Sequence, residues 1–217
     1  MRKGIAISAA AVALATTTTS ISSASASTGL LERGPDGVTI EIATVNGSGC
    51  PIGTTAVAVS EDKEAFTVTY SDYMAQVGGD AKPTDRRKNC QISMKVHVPQ
   101  GFTYAISSTD HRGYAFFQPG ATGVQLANYY FQGSSGNQEI PHQLPKGPFN
   151  GSWQATDKVP VDQLVYKPCG ELKNFNINTQ LRVDPGTSDP TKSSFASMDS
   201  TDGSIKTTYH FAWKKCP

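Results

Sequence analysis

The stretch NFNINTQLRV, residues 174–183, alternates strictly between two kinds of side chain. A period of two residues is typical of a β-strand that is buried on one face and wet on the other. The set expected to face the interior is Phe175, Ile177, Thr179, Leu181 and Val183. The set expected to face solvent is Asn174, Asn176, Asn178, Gln180 and Arg182. This stretch therefore predicts one strand of an amphipathic sheet.

The same alternation recurs along the rest of the chain. It is clearest in CQISMKVHV (90–98) and TTYHFAW (207–213), and it is less regular over 38–45, 55–60, 66–71, 103–108, 113–118 and 124–132. Sustained helical periodicity is absent, although one helical turn is expected around 72–76. Many short amphipathic strands separated by turn residues favour two antiparallel sheets packed face to face. The sequence predicts an all-β fold, an antiparallel β-sandwich, with a jelly roll as one arrangement of its strands.

The N-terminus has the pattern of an export signal. Arg2 and Lys3 precede a short apolar run, and Ala24-Ser25-Ala26 offers small residues for cleavage. The apolar run is shorter than the roughly 20 residues of a membrane span. We therefore expect a signal peptide over 1–26, a secreted, extracellular protein without a membrane span, and a single β-sandwich domain over 27–217.

Charge and composition bound the kinds of partner. The chain has 19 basic and 18 acidic residues and a formal net charge of +1. Strong non-specific attraction to nucleic acid requires a marked excess of positive charge, so we expect no nucleic-acid partner. The oligomeric state is left open by these features.

Four cysteines, Cys50, Cys90, Cys169 and Cys216, follow the expected signal peptide. An even number in an exported chain indicates two disulfides, for which three connectivities exist. Their wide separation does not fit the close ligand pairs of a structural zinc site. We favour Cys50–Cys90 and Cys169–Cys216, because each pair then lies at the edges of adjacent strand-like segments.

Four motifs together resemble one family of secreted proteins, known only as the domain of unknown function number 4360. They are GSGCPIGT (47–54), RRKNCQISMKVHVPQGFTYAI (86–106), GVQLANYYFQG (123–133) and YKPCGELKNFNINTQLRV (166–183). The resemblance covers most of the chain after the signal and keeps the order of the motifs. It implies export, a single domain and four matching cysteines. It brings no catalytic or ligand residue to this sequence.

Residue patterns for catalysis are weak. TDHRG, residues 109–113, places a carboxylate, an imidazole and a guanidinium in succession, and a polar turn is the favoured interpretation. No G-x-S-x-G motif accompanies it. Asp199 to Gly203 lacks the spacing of a calcium loop, so a solvated turn is favoured there. We predict no catalytic residues, no metal and no cofactor.

The candidate binding residues are aromatic or carry amides. Rings on both faces of one strand would leave some exposed for stacking on sugars, and a row of amides with a guanidinium can hydrogen-bond sugar hydroxyls. The candidates are Tyr129, Tyr130, Phe131, Asn174, Asn176, Asn178 and Arg182. The leading hypothesis is a secreted, non-enzymatic protein that binds an extracellular polysaccharide or another cell-surface component.

Two alternatives remain open. One is a secreted hydrolase acting on extracellular polymers, which would require His111 to converge with a carboxylate such as Asp110 or Glu41. The other is a secreted protease inhibitor that uses one of two long segments, 133–152 or 184–203. Loops of that length are usually functional or disordered, and the second is expected to be mobile.

Overall fold

A computed structural model describes residues 30–31, 33–134, 139–198 and 206–217. The expected signal peptide (1–26) and the segment Asp199 to Gly203 lie outside the described residues. Within those ranges, no helix has the length and apolar character needed to cross a bilayer.

Thirteen strands and two short 3-10 helices, Pro83–Arg86 and Val161–Gln163, make up the regular structure of the described residues. In chain order the strands are β1 (Leu30–Leu31), β2 (Thr39–Asn46), β3 (Thr55–Val59), β4 (Ala65–Tyr70), β5 (Met74–Val77), β6 (Arg87–His97), β7 (Phe102–Phe117), β8 (Thr122–Phe131), β9 (Ile140–Gln143), β10 (Phe149–Lys158), β11 (Phe175–Asp184), β12 (Ser194–Ser197) and β13 (Thr207–Lys215).

The strands form two antiparallel sheets, which confirms the predicted β-sandwich. The eight-stranded sheet has the order β3-β4-β13-β7-β12-β5, with β1 added to β13 and β10 added to β7. The five-stranded sheet has the order β2-β6-β11-β8-β9. The stretch 174–183 thus supplies the central strand of the smaller sheet, where it pairs with β6 on one side and β8 on the other.

Side chains of the two inner faces form the core. All five residues predicted to be buried on β11 are buried, and Tyr209, Phe211 and Trp213 are buried on β13. Aromatic rings contribute to the contacts between the sheets: the rings of Tyr104 on β7 and Phe131 on β8 meet edge to face with centroids 5.3 Å apart. Large aromatic side chains contribute much of the apolar area that stabilises a core.

Both predicted disulfides are confirmed. Cys50–Cys90 and Cys169–Cys216 have Cα–Cα distances of 5.4 and 5.9 Å. Cys50 lies on the connection between the two sheets, after β2 and before β3, and the bond fastens that connection to β6. The bonds join residues 40 and 47 positions apart. Loops of this size correspond to about 4 kcal/mol each if the bonds act by reducing the entropy of the unfolded chain.

Two expectations about local structure are wrong. The helical turn expected around 72–76 is strand β5, which pairs with β12 in the eight-stranded sheet. TDHRG is not a turn, because β7 runs without interruption from Phe102 to Phe117 and residues 109–113 lie in its middle. Pairing with β10 along this whole stretch holds the polar residues in an extended conformation.

The two long segments contain strands instead of being loops throughout. Residues 133–152 include β9 and the beginning of β10. Residues 184–203 include β12, whose Ser194, Ala196 and Ser197 are buried between neighbouring strands. Residues 194–197 are therefore a paired strand and not part of a loop. Four residues are too few to show a period in the sequence.

Candidate functional site

Two polar assemblies lie on opposite sides of the five-stranded sheet. The first, called here the amide face, is on its outer side and consists of Asn46, Gln91, Asn128, Asn176, Asn178 and Tyr130. The second, called here the histidine cluster, lies between the sheets and consists of His111, Gln125, Tyr129, His142 and Asp157. Strand alternation separates the two, because neighbouring residues of one strand point to opposite faces.

A row of four amides crosses the amide face. Asn46 is paired in register with Gln91, Gln91 with Asn178, and Asn178 with Asn128. These four residues belong to four adjacent strands, so at the usual strand spacing the row is about 14 Å long. Each amide offers both a donor and an acceptor. The row is therefore an uncharged strip of hydrogen-bonding groups.

Tyr130 ends a second, parallel row. It is paired in register with Asn176, which is paired with Ser93. Beside it, the Oδ1 atom of Asn128 is buried and has no hydrogen-bond partner among the described residues. Most buried polar atoms in proteins are paired. The amide face thus carries an aromatic ring beside Asn128, whose side-chain oxygen is covered.

Shallow depressions adjoin this row. One of about 270 Å³ is lined by residues that include Gln91, Asn178 and Gln180. A second depression of about 660 Å³ shares Arg87 with the first and is also lined by Arg182 and Asp184. The guanidinium of Arg182 donates to the side-chain oxygen of Gln180, so it is held along the sheet.

The sequence-predicted binding residues divide between the two assemblies. Asn176, Asn178, Arg182 and Tyr130 lie on the outer side of the sheet. Asn174 precedes β11 and donates a hydrogen bond of 3.0 Å to the hydroxyl of Ser93.

The other two predicted residues face inwards. Phe131 is 5% exposed and packs with its ring centroid 5.3 Å from that of Tyr104. Tyr129 belongs to the histidine cluster. Of the three rings named as candidates, Tyr129 and Phe131 thus occupy interior positions of β8 on either side of Tyr130, which lies on the outer side.

Residues from both sheets meet in the histidine cluster. The Tyr129 hydroxyl donates to Oδ2 of Asp157 at 2.9 Å and lies 2.5 Å from Nε2 of His111. Nε2 of His142 lies 2.7 Å from Oδ1 of Asp157. Nδ1 of His142 is hydrogen-bonded to the side-chain oxygen of Gln125, whose nitrogen donates to the carbonyl of Leu126 at 3.1 Å. One carboxylate is thus surrounded by three aromatic side chains.

Burial and hydrogen bonding set the charge of the cluster. Burial lowers the pKa of His111, whose side chain is fully enclosed, although Asp157 opposes this shift. Burial alone would raise the pKa of Asp157, but hydrogen bonds with His111, His142 and Tyr129 outweigh it and hold the pKa below its usual range. Asp157 is therefore a carboxylate at neutral pH, and His111 is neutral.

A cleft of about 470 Å³ borders the cluster. Its lining is mainly apolar and includes Ile106, Phe131 and Val159, while Tyr129 and Asp157 supply polar groups. A largely apolar cavity with a few polar groups is typical of small-molecule sites. The cluster can therefore be approached by a molecule that occupies this cleft.

The convergence that the hydrolase alternative required is present, but with a different carboxylate. His111 Nε2 lies 3.6 Å from Asp157 Oδ2. Asp110 instead contacts His210 at 2.9 Å on the other face of β7. Glu41 lies on β2, an edge strand of the opposite sheet, and takes no part.

Sequence reasoning missed His142, Asp157 and Gln125. A signal for Asp157 is present in GSWQATD (151–157), where Gly151, Trp153, Ala155 and Asp157 occupy alternate positions of what is strand β10. The alternation is hard to recognise in the sequence, because these inner positions hold small residues and only one large apolar residue, the tryptophan. Gln125 occupies an interior position of β8 and is fully buried.

Comparison with known proteins shows one family match and one related sequence. Residues 36–216 match the model of a family described as a domain of unknown function, DUF4360. A protein of Arthroderma benhamiae, known as an uncharacterized secreted protein, is 34% identical over 182 residues, which cover 84% of this chain and 73% of that protein.

Similarity to solved structures is low. The chain aligns with TmCBM61 in complex with β-1,4-galactotriose at a TM-score of 0.27 and 7% identity, over 83% of this chain and 90% of that one. A family 11 carbohydrate-binding module from Clostridium thermocellum aligns at a TM-score of 0.20 and 11% identity, over 87% and 95%. Scores this low carry no argument about a shared ligand.

Proposed function

The chain belongs to the DUF4360 family, and we propose that it is a secreted, non-enzymatic protein that binds an extracellular polysaccharide on its amide face. The observation that carries this proposal is the row of four amides across four strands, with Tyr130 beside it. The secreted relative and the two disulfides support export, since disulfides persist in oxidising compartments.

Uncharged amides suit a neutral, hydroxyl-rich ligand. Each sugar hydroxyl can both donate and accept, and so can each amide side chain. The side chains of Asn46 and Gln91 are exposed, so their amides can meet such hydroxyls directly.

The ring of Tyr130 adds an apolar surface next to the amides. A sugar ring presents C–H groups on its faces, and an aromatic side chain can bury them while its hydroxyl remains wet. Because Tyr130 is paired with Asn176 in register, one sugar unit can contact both side chains. The strands hold these groups in place, which limits the entropy that binding must remove.

Retention of the oxidised, secreted chain on insoluble chitin, cellulose and peptidoglycan tests the proposal. We expect retention on one polymer, and a decrease of about tenfold in affinity for Tyr130→Ala or Asn178→Ala, equivalent to about 1.4 kcal/mol. Tyr114→Ala is the matched control, because Tyr114 lies on the outer side of the other sheet, next to Phe195.

The possible outcomes distinguish which face binds the polysaccharide from whether the protein binds polysaccharide at all. Equal retention of wild type and both amide-face variants would overturn the assignment of this face. Loss of retention in Tyr114→Ala alone would place the glycan on the eight-stranded sheet. Absence of retention on every polymer tested would overturn polysaccharide binding.

A second candidate, hydrolysis, is favoured by a different observation. His111 and Asp157 converge beside the cleft, which is the arrangement that the hydrolase alternative required. Fluorogenic glycoside and ester substrates test it. Turnover by wild type that falls at least a hundredfold in Asp157→Asn would support hydrolysis, and turnover equal in the two proteins would exclude this cluster as its site.

A further inference from the structure

We propose that the histidine cluster binds one divalent transition-metal ion, with zinc as the best match, through His111, His142 and Asp157. This inference concerns the interior between the sheets. It stands or falls separately from polysaccharide binding on the amide face.

Three potential ligand atoms converge in one place. One ring nitrogen of each histidine and one carboxylate oxygen of Asp157 all lie within 4.8 Å of one another. In a tetrahedral site with bonds of about 2.0–2.1 Å, neighbouring ligand atoms are about 3.3–3.5 Å apart. The observed 3.6 Å between His111 Nε2 and Asp157 Oδ2 is close to this value, whereas the 2.7 Å between His142 Nε2 and Asp157 Oδ1 is a hydrogen-bond distance that an ion would have to lengthen.

Both ring nitrogens of His142 lie against acceptor atoms. Its Nδ1 faces the oxygen of Gln125, and its Nε2 faces an oxygen of Asp157. An imidazole that binds a metal ion through Nε2 keeps its N–H on Nδ1. This tautomer satisfies Gln125, and the ion would then lie between Nε2 and Asp157.

The orientation of Gln125 supports the assignment. Its nitrogen donates to the carbonyl of Leu126, which leaves its oxygen directed at Nδ1 of His142. A histidine that binds metal through one nitrogen commonly donates its other N–H to a carbonyl or carboxylate, which fixes the ring. Gln125 is fully buried. Burying its amide against His142 costs free energy, because the amide is removed from water.

The hydroxyl of Tyr129 lies within reach of the same point. It is 2.5 Å from His111 Nε2 and 2.9 Å from Asp157 Oδ2. These are hydrogen-bond distances, so an ion would replace shared protons and move the donor atoms slightly apart. His142 lies on the edge strand β9 with 14% of its side chain exposed, which gives a short route for an ion to enter.

The donor set selects the class of metal. Two imidazoles and one carboxylate suit zinc and neighbouring first-row metals, whereas calcium and magnesium prefer sites made of oxygen. Two histidines with one acidic residue also occur in catalytic zinc sites that leave a fourth position open. Zinc is therefore the probe of choice.

Metal analysis of the oxidised, secreted chain tests this inference. The chain is treated with a chelator, dialysed against zinc and measured for bound metal, and cobalt is then substituted to record its visible absorption. We expect one ion per chain and a tetrahedral cobalt spectrum. His142→Gln and Asp157→Asn should each weaken zinc binding by at least tenfold. His97→Gln, which alters an exposed histidine at the end of β6, should leave it unchanged.

Gln125→Met separates ligands from their support. This variant keeps all three ligands and removes the acceptor of His142, and loss of such a partner commonly costs 10–100-fold in metal affinity. Circular dichroism and the unfolding temperature without metal establish that each variant is folded. Absence of bound zinc in the wild type, or equal binding by wild type and His142→Gln, would overturn the proposal and leave a network held by protons alone.

Discussion

The histidine cluster and the amide face are both polar, but they differ in how many of their polar groups are hydrogen-bonded within the protein. In the cluster, the carboxylate of Asp157 is shared among Tyr129 and His142, with side chains from both sheets closing around it. On the amide face, Gln91 and Asn46 are exposed, and the Oδ1 atom of Asn128 has no partner among the described residues. Within the cluster only Nδ1 of His111 lacks a partner in the described part of the chain, whereas the exposed amides of the face are left to solvent or to a ligand.

This difference predicts where substitutions affect stability. Removing a partner from a buried network leaves other groups unpaired, which is costly. Removing an amide from a surface that meets water costs little. Stability measurements can therefore distinguish the two assemblies independently of any ligand.

The largest effect is expected for Asp157→Ala. This change leaves His142 and Tyr129 without their shared acceptor inside the sandwich, and we expect the free energy of unfolding to fall by about 3 kcal/mol. Asn178→Ala on the amide face should change it by less than about 0.5 kcal/mol. Urea denaturation of both variants measures the contrast. Similar losses in the two would contradict the distinction between the assemblies.

Two adjacent tyrosines give a closer comparison. Tyr129→Phe removes a hydroxyl that contacts a carboxylate and an imidazole, so we expect a loss of about 2 kcal/mol. Tyr130→Phe removes a hydroxyl on the outer side and should cost less than about 0.5 kcal/mol. The two variants differ by one position in the chain, and their unfolding midpoints in urea report the difference directly. A larger loss for Tyr130→Phe would reverse the assignment of inner and outer faces on β8.

The same contrast explains which parts of the molecule could be predicted from the sequence. β11 has apolar residues on its inner side and polar residues on its outer side, so its period was visible and its faces were predicted correctly. β7 carries His111 towards the interior and Asp110 towards solvent, so both of its faces are polar there. That polarity gave the middle of the strand the sequence pattern of a turn.

The partners of His111 could not be identified from sequence order. Asp157 lies on β10, which pairs with β7, and His142 lies on β9, which pairs with β8. These strands come together only in the folded sandwich, and no spacing between the residues in the sequence indicates that they will be close. The disulfides were predictable because an even cysteine count in an exported chain has few solutions. The amide face was found in part, since alternation reveals which residues share a face but does not show which neighbouring strands extend it.

The most specific effect is expected for Asn128→Leu, whose sign should be opposite to that of the destabilising substitutions in the histidine cluster. The side chain is half-buried beside Leu126, and its Oδ1 lacks a donor. Replacing an unpaired acceptor by an apolar group of similar size should raise the free energy of unfolding by about 0.5–1 kcal/mol. It should also weaken retention on the polysaccharide, because the row across the four strands loses one of its amides. Urea denaturation and retention of the same protein sample measure both quantities. A variant that is both less stable and fully retained would show that Asn128 stabilises the fold and does not contact the ligand. The assignment of the polysaccharide to the amide face would then lose its most specific support.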